Sequence, residues 1–342
     1  MRIVDVEHHF LTQDIFDVWD RNEGTGQIPY HNPESRVSTF VDSDDGVMAI
    51  AQPDDRLMDI DDMRFAAMEE SGYNMAVLST APGVSQLKIP EAVDLCRRTN
   101  DYLHGIVQKF PDRFMGAATL PVYYPDEAVR ELDRCVNELG FVSWQTHSNY
   151  GDRALDDPEF EPIIAKAAEL GIYTFLHPTV ATSRRMLKYG YVFDSAGLGF
   201  TIDTMTTMVA LIVNGTFDKH PGFKVCLGHF GEALPFLMER MNWNFGMPLG
   251  HVGTFHQRDI VDYFKNCIWV DSSGNTSIEA FKLVREVLGI ERIVYGSDYP
   301  FPPAWYVHDY NEKLRAVMDD REWELYCHGN FEEMSGVTLL GE

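Results

Sequence analysis

The stretch PDEAVRELDRCVNELGFVSWQTH, residues 125–147, sets one helix directly against one strand. Pro125 suits a first helical turn, where its missing N–H is no loss. Val129, Leu132, Val136 and Leu139 follow at spacings of 3, 4 and 3, which makes one apolar helix face. Gly140 can take the left-handed conformation that ends such a helix, and a β-like run at 141–145 begins at once. The next unit repeats the pattern with Pro158, then Ile163, Ala167 and Leu170, a stop at Gly171 and a run at 172–176.

Outward from these two units, further β-like runs lie at 3–6, 75–79, 114–120, 224–227, 267–270 and 292–295. Most are continuous apolar runs, which suits parallel strands buried on both faces. Eight strand–helix units predict an α/β fold, a (β/α)8 or TIM barrel, with residues 1–342 as a single domain. A doubly wound open sheet would usually carry a Gly-rich phosphate loop after its first strand. This chain has Glu7-His8-His9-Phe10 there. Two segments exceed the minimal barrel. Residues 11–55, rich in Asp, Gly and Pro, read as a lid or binding-loop insertion after strand one. Residues 178–200 carry Arg184 and Arg185 after strand five. Both lie on the side where βα loops build active sites.

The formal net charge of −25 disfavours nucleic acid, because an acidic surface repels phosphate backbones. An aromatic content of 12% excludes disorder as the dominant state. No apolar stretch is long enough for a membrane helix, and the acidic start MRIVDVEHHF does not fit a signal peptide. Cys96, Cys135, Cys226, Cys267 and Cys327 are scattered and without CxxC spacing. They read as reduced core thiols of a cytoplasmic protein.

Metal-competent residues recur where the predicted strands end. Strand one ends in Glu7-His8-His9, strand five in His177, strand six in Gly228-His229 with Glu232 three residues on, and strand eight in Ser297-Asp298. Residues i and i+2 of a strand point the same way, so Glu7 and His9 share the barrel axis while His8 faces outward. His177 and Asp298 converge on the same mouth. One Glu, two His and one Asp suit a single divalent ion, Zn²⁺ or Mn²⁺. Taken singly, each has a plainer reading: a hydrogen-bonded structural histidine, or an aspartate in a turn. Four such coincidences at one barrel mouth favour the metal site.

These motifs resemble the decarboxylase branch of the amidohydrolase superfamily. That branch includes aminocarboxymuconate-semialdehyde decarboxylase and the metal-dependent decarboxylases of hydroxybenzoates. The likeness rests on the strand-one E-x-H, the LHPT, LGHFGEALPF and GSDYPF segments, and RFMGAATLP, ELGFVSWQTH and NGTFDKHPGFKV. It implies a (β/α)8 barrel with one metal held by Glu7, His9, His177 and Asp298. It makes His229 the catalytic histidine and Glu232 its partner carboxylate. Arg240 matches an arginine that crosses a dimer interface to the neighbouring substrate, and Phe301 an aromatic that flanks the bound ring. The E-x-H matches hydroxybenzoate decarboxylases rather than the H-x-H of hydrolytic relatives. The insertion at 11–55 has no clear counterpart.

Removing CO₂ from an aryl carboxylate leaves an aryl anion unless the ring carbon is protonated first. An ortho hydroxyl makes this feasible, since as a phenolate it pushes electron density onto that carbon. The metal acts as Lewis acid and template. Asp298 is the candidate acid, and His229 with Glu232 would orient the hydroxyl or take its proton. An arginine fork suits the carboxylate. Arg240 is one candidate, with Arg56 and Arg64 as weaker ones that read equally as surface salt bridges. Arg240 reads otherwise as an ion pair at a dimer rim, and His147 as either a ring contact or a satisfied loop histidine. The substrate expected is a small aromatic carboxylate, and the assembly a homodimer or homotetramer. A lactone or amide hydrolase of the same fold is the alternative, and a non-catalytic scaffold a third reading.

Overall fold

The computed structural model describes residues 1–22, 29–32, 37–42, 46–51, 54–151, 153–180, 189, 193, 195–245 and 256–339. Eight parallel strands form one sheet: β1 (Val4–Phe10), β2 (Met75–Thr80), β3 (Phe114–Ala118), β4 (Ser143–His147), β5 (Tyr173–His177), β6 (Lys224–Leu227), β7 (Ile268–Asp271) and β8 (Ile293–Val294). They neighbour one another in chain order. Backbone bonds from Val6 N to Tyr295 O, Asp298 N to Glu7 O and His9 N to Tyr299 O, at 2.9–3.0 Å, join the last strand to the first. This is the expected (β/α)8 barrel.

The helices arise where the apolar spacing put them. Pro125 opens the helix Pro125–Asn137, and Gly140 follows at φ +74. Gly171 closes Glu161–Leu170 in the left-handed region at φ +70. A larger core of leucine, isoleucine and phenylalanine lies between sheet and helices. A second cluster, including Val4, Val6, Val77, Phe175, Cys226, Trp269 and Val294, comes from the alternate strand positions and is joined by Phe331 and Met334 of the last helix. This two-sided burial is why the strands read as continuous apolar runs.

The insertion departs from the loop expected. Its first helix, Gln13–Arg21, is capped by the Thr12 hydroxyl and buries Ile15, Phe16, Val18 and Trp19. Leu57, Val84 and Leu95 pack with them. An antiparallel sheet of Pro29–Asn32, Val37–Asp42 and Gly46–Ala51 follows. These strands are only four to six residues long, too short for a clear alternating pattern, so composition alone reads as loop. Arg184 and Arg185 lie outside the described residues. The five cysteines are all buried and unpaired. Among the described residues no helix is long and apolar enough to cross a membrane.

Candidate metal centre and active site

β1 does not run straight. Asp5 pairs with Ala76 but His8 with Leu78, so three steps on β1 oppose two on β2. This bulge reverses the alternation of sides. Val4 and Val6 pack in the inner cluster, and Glu7 and His9 nevertheless turn into the same barrel interior. His8 faces outward as expected. It is fully buried there, with Nδ1 2.8 Å from Asp5 Oδ2 and its ring stacked on Tyr299.

Ligand atoms of Glu7, His9, His177 and Asp298 all lie within 4.8 Å of one another. His177 Nε2 stands 3.3 Å and His9 Nε2 3.9 Å from Glu7 Oε1, and His9 Nε2 stands 3.5 Å from Asp298 Oδ1. His177 donates from Nδ1 to the Pro178 carbonyl at 2.5 Å. A carbonyl only accepts, so Nε2 carries the lone pair, the tautomer a metal requires. His9 Nδ1 is held by the Ser79 hydroxyl at 3.3 Å. Both Glu7 oxygens and His9 Nε2 are buried with no protein partner. Burial, then the carboxylates of Asp271 and Asp298, push the Glu7 carboxyl well above its usual range. Burial and the neighbouring histidines push the His177 imidazole well below its own. Unpartnered oxygen and nitrogen donors in a buried, carboxylate-rich cavity fit a divalent cation, whose charge offsets the repulsion.

Asp298 lies beyond β8, not in it. It adopts φ +57, and its N–H donates to Glu7 O. His229 follows β6, but the segment after it is not the start of an ordinary helix. His229, Phe230, Gly231, Glu232 and Ala233 all have positive φ, from 51 to 76, which makes a left-handed turn. The right-handed helix runs only from Leu234 to Phe245. Left-handed backbone costs roughly 1–2 kcal/mol per L-residue, and runs of it mark sites where geometry is imposed. Within this turn His229 Nδ1 meets Glu232 Oε1 at 2.7 Å. Burial lowers the His229 pKa, but Glu232 and Glu7 outweigh it and hold the imidazole well above its usual range.

The remaining candidates divide. His147 ends β4 beside His177, with ring centroids 5.6 Å apart, and both its nitrogens are buried and unpartnered. Burial, then His9, push its pKa down to about 3. It is therefore no satisfied loop histidine; it offers a neutral donor and acceptor. Phe301 stands 6.0 Å from the His9 ring and is partly exposed. Arg64 is neither a surface ion pair nor placed to meet substrate. It is fully buried and donates to the carbonyls of Asp59, His9, Arg56 and Leu57, with Tyr299 under its guanidinium. Arg56 is exposed and donates to Pro300 O at 3.2 Å. Arg240 is exposed on the helix Leu234–Phe245.

Sequence reasoning missed Asp271. It ends β7, fully buried, and accepts the His229 N–H at 3.1 Å. A carboxylate at a strand end was the available signal. A cleft of about 920 Å³ opens beside His229 and Glu232, lined also by Phe236, Asn275, Thr276 and Leu283.

Barrel, donor set and histidine–carboxylate pair define a metal-dependent enzyme of the amidohydrolase type. Residues 4–334 match the amidohydrolase family, and the chain belongs to it. It is 34% identical over 263 residues to a gamma-resorcylate decarboxylase of Rhodococcus jostii, covering 72% of this chain and 79% of that one. It is 31% identical over 247 residues to a 2-amino-3-carboxymuconate-6-semialdehyde decarboxylase of Dictyostelium discoideum, covering 70% and 67%. Among solved structures, a 5-carboxyvanillate decarboxylase of Novosphingobium aromaticivorans superposes with a TM-score of 0.86 at 28% identity, covering 98% and 96%. That structure holds manganese and 4-hydroxy-3-methoxy-5-nitrobenzoic acid. Within the family the chain is a carboxy-lyase, and the Glu7–His9–His177–Asp298 cluster is its candidate seat for a divalent metal.

Proposed function

We propose that the protein is a metal-dependent, non-oxidative decarboxylase of an ortho-hydroxy aromatic carboxylate. The observation that carries this reading is the convergence of Glu7, His9, His177 and Asp298, with the Glu7 oxygens and His9 Nε2 buried and without hydrogen-bond partners, beside the His229–Glu232 pair. Manganese in a solved relative at 28% identity supports Mn²⁺ as the ion. A cation held there supplies Lewis acidity and a template for the carboxylate and neighbouring hydroxyl oxygens.

The protein's own groups do the rest. His229, oriented by Glu232, takes or holds the hydroxyl proton of the substrate. Asp298, protonated from solvent once in each turnover, gives that proton to the ring carbon that bears the carboxylate, and His229 returns the hydroxyl proton to the product. The C–C bond then breaks, its electron pair returns to the ring, CO₂ leaves, and aromaticity is restored. His147 offers a neutral hydrogen bond to the bound substrate, and Phe301 flanks its ring.

We further propose a cytoplasmic homodimer in which Arg240 of one subunit meets the substrate carboxylate of the other. Phe236 and Trp243, 76% and 72% exposed, share the face of Arg240 at spacings of four and three residues, and so supply apolar area for such a contact. The test is CO₂ release from 2,6-dihydroxybenzoate, 5-carboxyvanillate and 4-hydroxybenzoate, with and without Mn²⁺. Turnover of an ortho-hydroxy acid but not of 4-hydroxybenzoate is expected. Lactone hydrolysis without CO₂ release, or turnover that ignores the ortho hydroxyl, overturns the reading.

A further inference from the structure

We infer that Asp271 is a positioning residue for His229 and acts through the backbone rather than the ring. The inference rests on the catalytic reading of His229 and deepens it. A left-handed run of His229, Phe230, Gly231, Glu232 and Ala233 persists only where its surroundings over-determine it. The Glu232 carboxylate fixes the ring at Nδ1, but nothing in that bond fixes the chain that carries the ring. Asp271 does. Its Oδ1 accepts the His229 N–H, the first amide of the turn, at 3.1 Å. The same oxygen accepts the Ser273 N–H at 3.0 Å and the Ser273 hydroxyl at 2.7 Å, which hold the carboxylate in place.

The neighbouring glycines are shaped to this arrangement. A Cβ at Gly296 would lie 2.6 Å from Asp271 Oδ2. A Cβ at Gly274, which has φ +59, would lie 2.5 Å from His229 Cδ2. Strand ends β7 and β8 thus leave room for an aspartate that reaches across to the end of β6. Asp271 stays buried although Oδ2 has no protein partner. A buried carboxylate with one unpartnered oxygen is an expensive way merely to fill space. Its place is explained by the amide it holds.

The test uses the Mn²⁺-loaded full chain carrying Asp271→Ala, Asp271→Leu or Asp271→Asn, each alone and with His229→Asn. Asp271→Ala is expected to lower kcat about 10- to 100-fold, as a small misplacement of a reacting group does. KM should stay within about twofold, with Mn²⁺ kept saturating because removing Asp271 also removes a carboxylate that acts on Glu7. Asp271→Asn should restore most of kcat, because its amide oxygen can still accept the His229 N–H. Asp271→Leu has a similar branched shape with no buried charge and no acceptor, leaves no cavity, and repeats the experiment should the alanine variant fold poorly. In the His229→Asn background the Asp271 substitutions should cost nothing further. Hydrogen exchange at residues 229–233 should quicken in Asp271→Ala and Asp271→Leu. Unchanged kcat, full additivity with His229→Asn, or unchanged exchange overturns the proposal. Wild-type turnover in His229→Asn alone would instead remove the catalytic reading of His229, and exchange would then decide the role of Asp271.

Discussion

Asp5 accepts the backbone N–H of Ser297 at 2.9 Å, across the seam where the first and last strands of the barrel meet. The same Oδ1 takes the N–H of Glu7 at 3.1 Å, and Oδ2 meets His8 Nδ1 and the Ser297 hydroxyl. One carboxylate therefore spans the β1 bulge and holds the residues next to Asp298. Glu7 and Asp298 come from opposite ends of the chain, so their separation depends on this seam. Asp298 adds strain of its own at φ +57. Asp5→Ala strands several buried donors, each costing about 1–3 kcal/mol. Stability should fall by about 3 kcal/mol or more in urea titrations. Mn²⁺ affinity should fall about 10- to 100-fold, as losses of groups that orient ligands do. An unchanged Mn²⁺ titration would show that the seam does not set the ligand spacing.

Removing a ligand should separate metal from fold. His177→Ala should lose the metal and the activity while circular dichroism stays that of the wild type. In the wild type, Mn²⁺ at about 100 times its Kd should stabilise the fold by about 2.7 kcal/mol. A chelator should abolish that gain along with turnover. Retention of a full equivalent of metal and full activity by His177→Ala would remove His177 from the ligand set.

His229→Asn should do the reverse, keeping Mn²⁺ while kcat falls about 10²- to 10⁴-fold, the usual worth of a positioned acid–base group. Metal content by elemental analysis and single-turnover CO₂ release together distinguish this from loss of the ion. Glu232→Gln should give a smaller loss, since the amide oxygen can still face His229 Nδ1.

What was legible in the sequence follows from how locally each feature is encoded. Buried parallel strands are continuous apolar runs, so all eight could be read, and a polar residue at a strand end stands out against them. The β1 bulge could not be read, because it exists only in the pairing of Asp5 and His8 with β2. The left-handed turn could not be read either, since Phe230, Glu232 and Ala233 carry no local preference for positive φ. Arg64 reads locally as a surface or substrate group, although four backbone carbonyls surround it in the folded chain. Asp271 went unnoticed because its importance lies in an amide of another strand's loop. In each case the missing information is a long-range contact, which no window of sequence contains.

The left-handed turn also changes the geometry of Arg240. Eleven residues separate it from His229, which as continuous helix would span roughly 16 Å. Only the part from Leu234 is right-handed helix, so Arg240 stands about 9 Å along it. It is exposed there between Phe236 and Trp243, which are exposed on the same helix. If a second subunit covers that face, Trp243→Glu should shift the protein toward monomer in sedimentation experiments. Arg240→Ala should lower kcat/KM about 10- to 100-fold, the loss expected for a charged hydrogen bond, with metal content unchanged. Mixing subunits gives the sharper reading. Arg240→Ala dimers hold metal but lack the arginine at both sites, and His177→Ala dimers lack metal at both. A mixed dimer holds one site with both, so random exchange should restore about a quarter of wild-type activity. Exchange demonstrated by mass spectrometry with no return of activity would confine Arg240 to its own subunit.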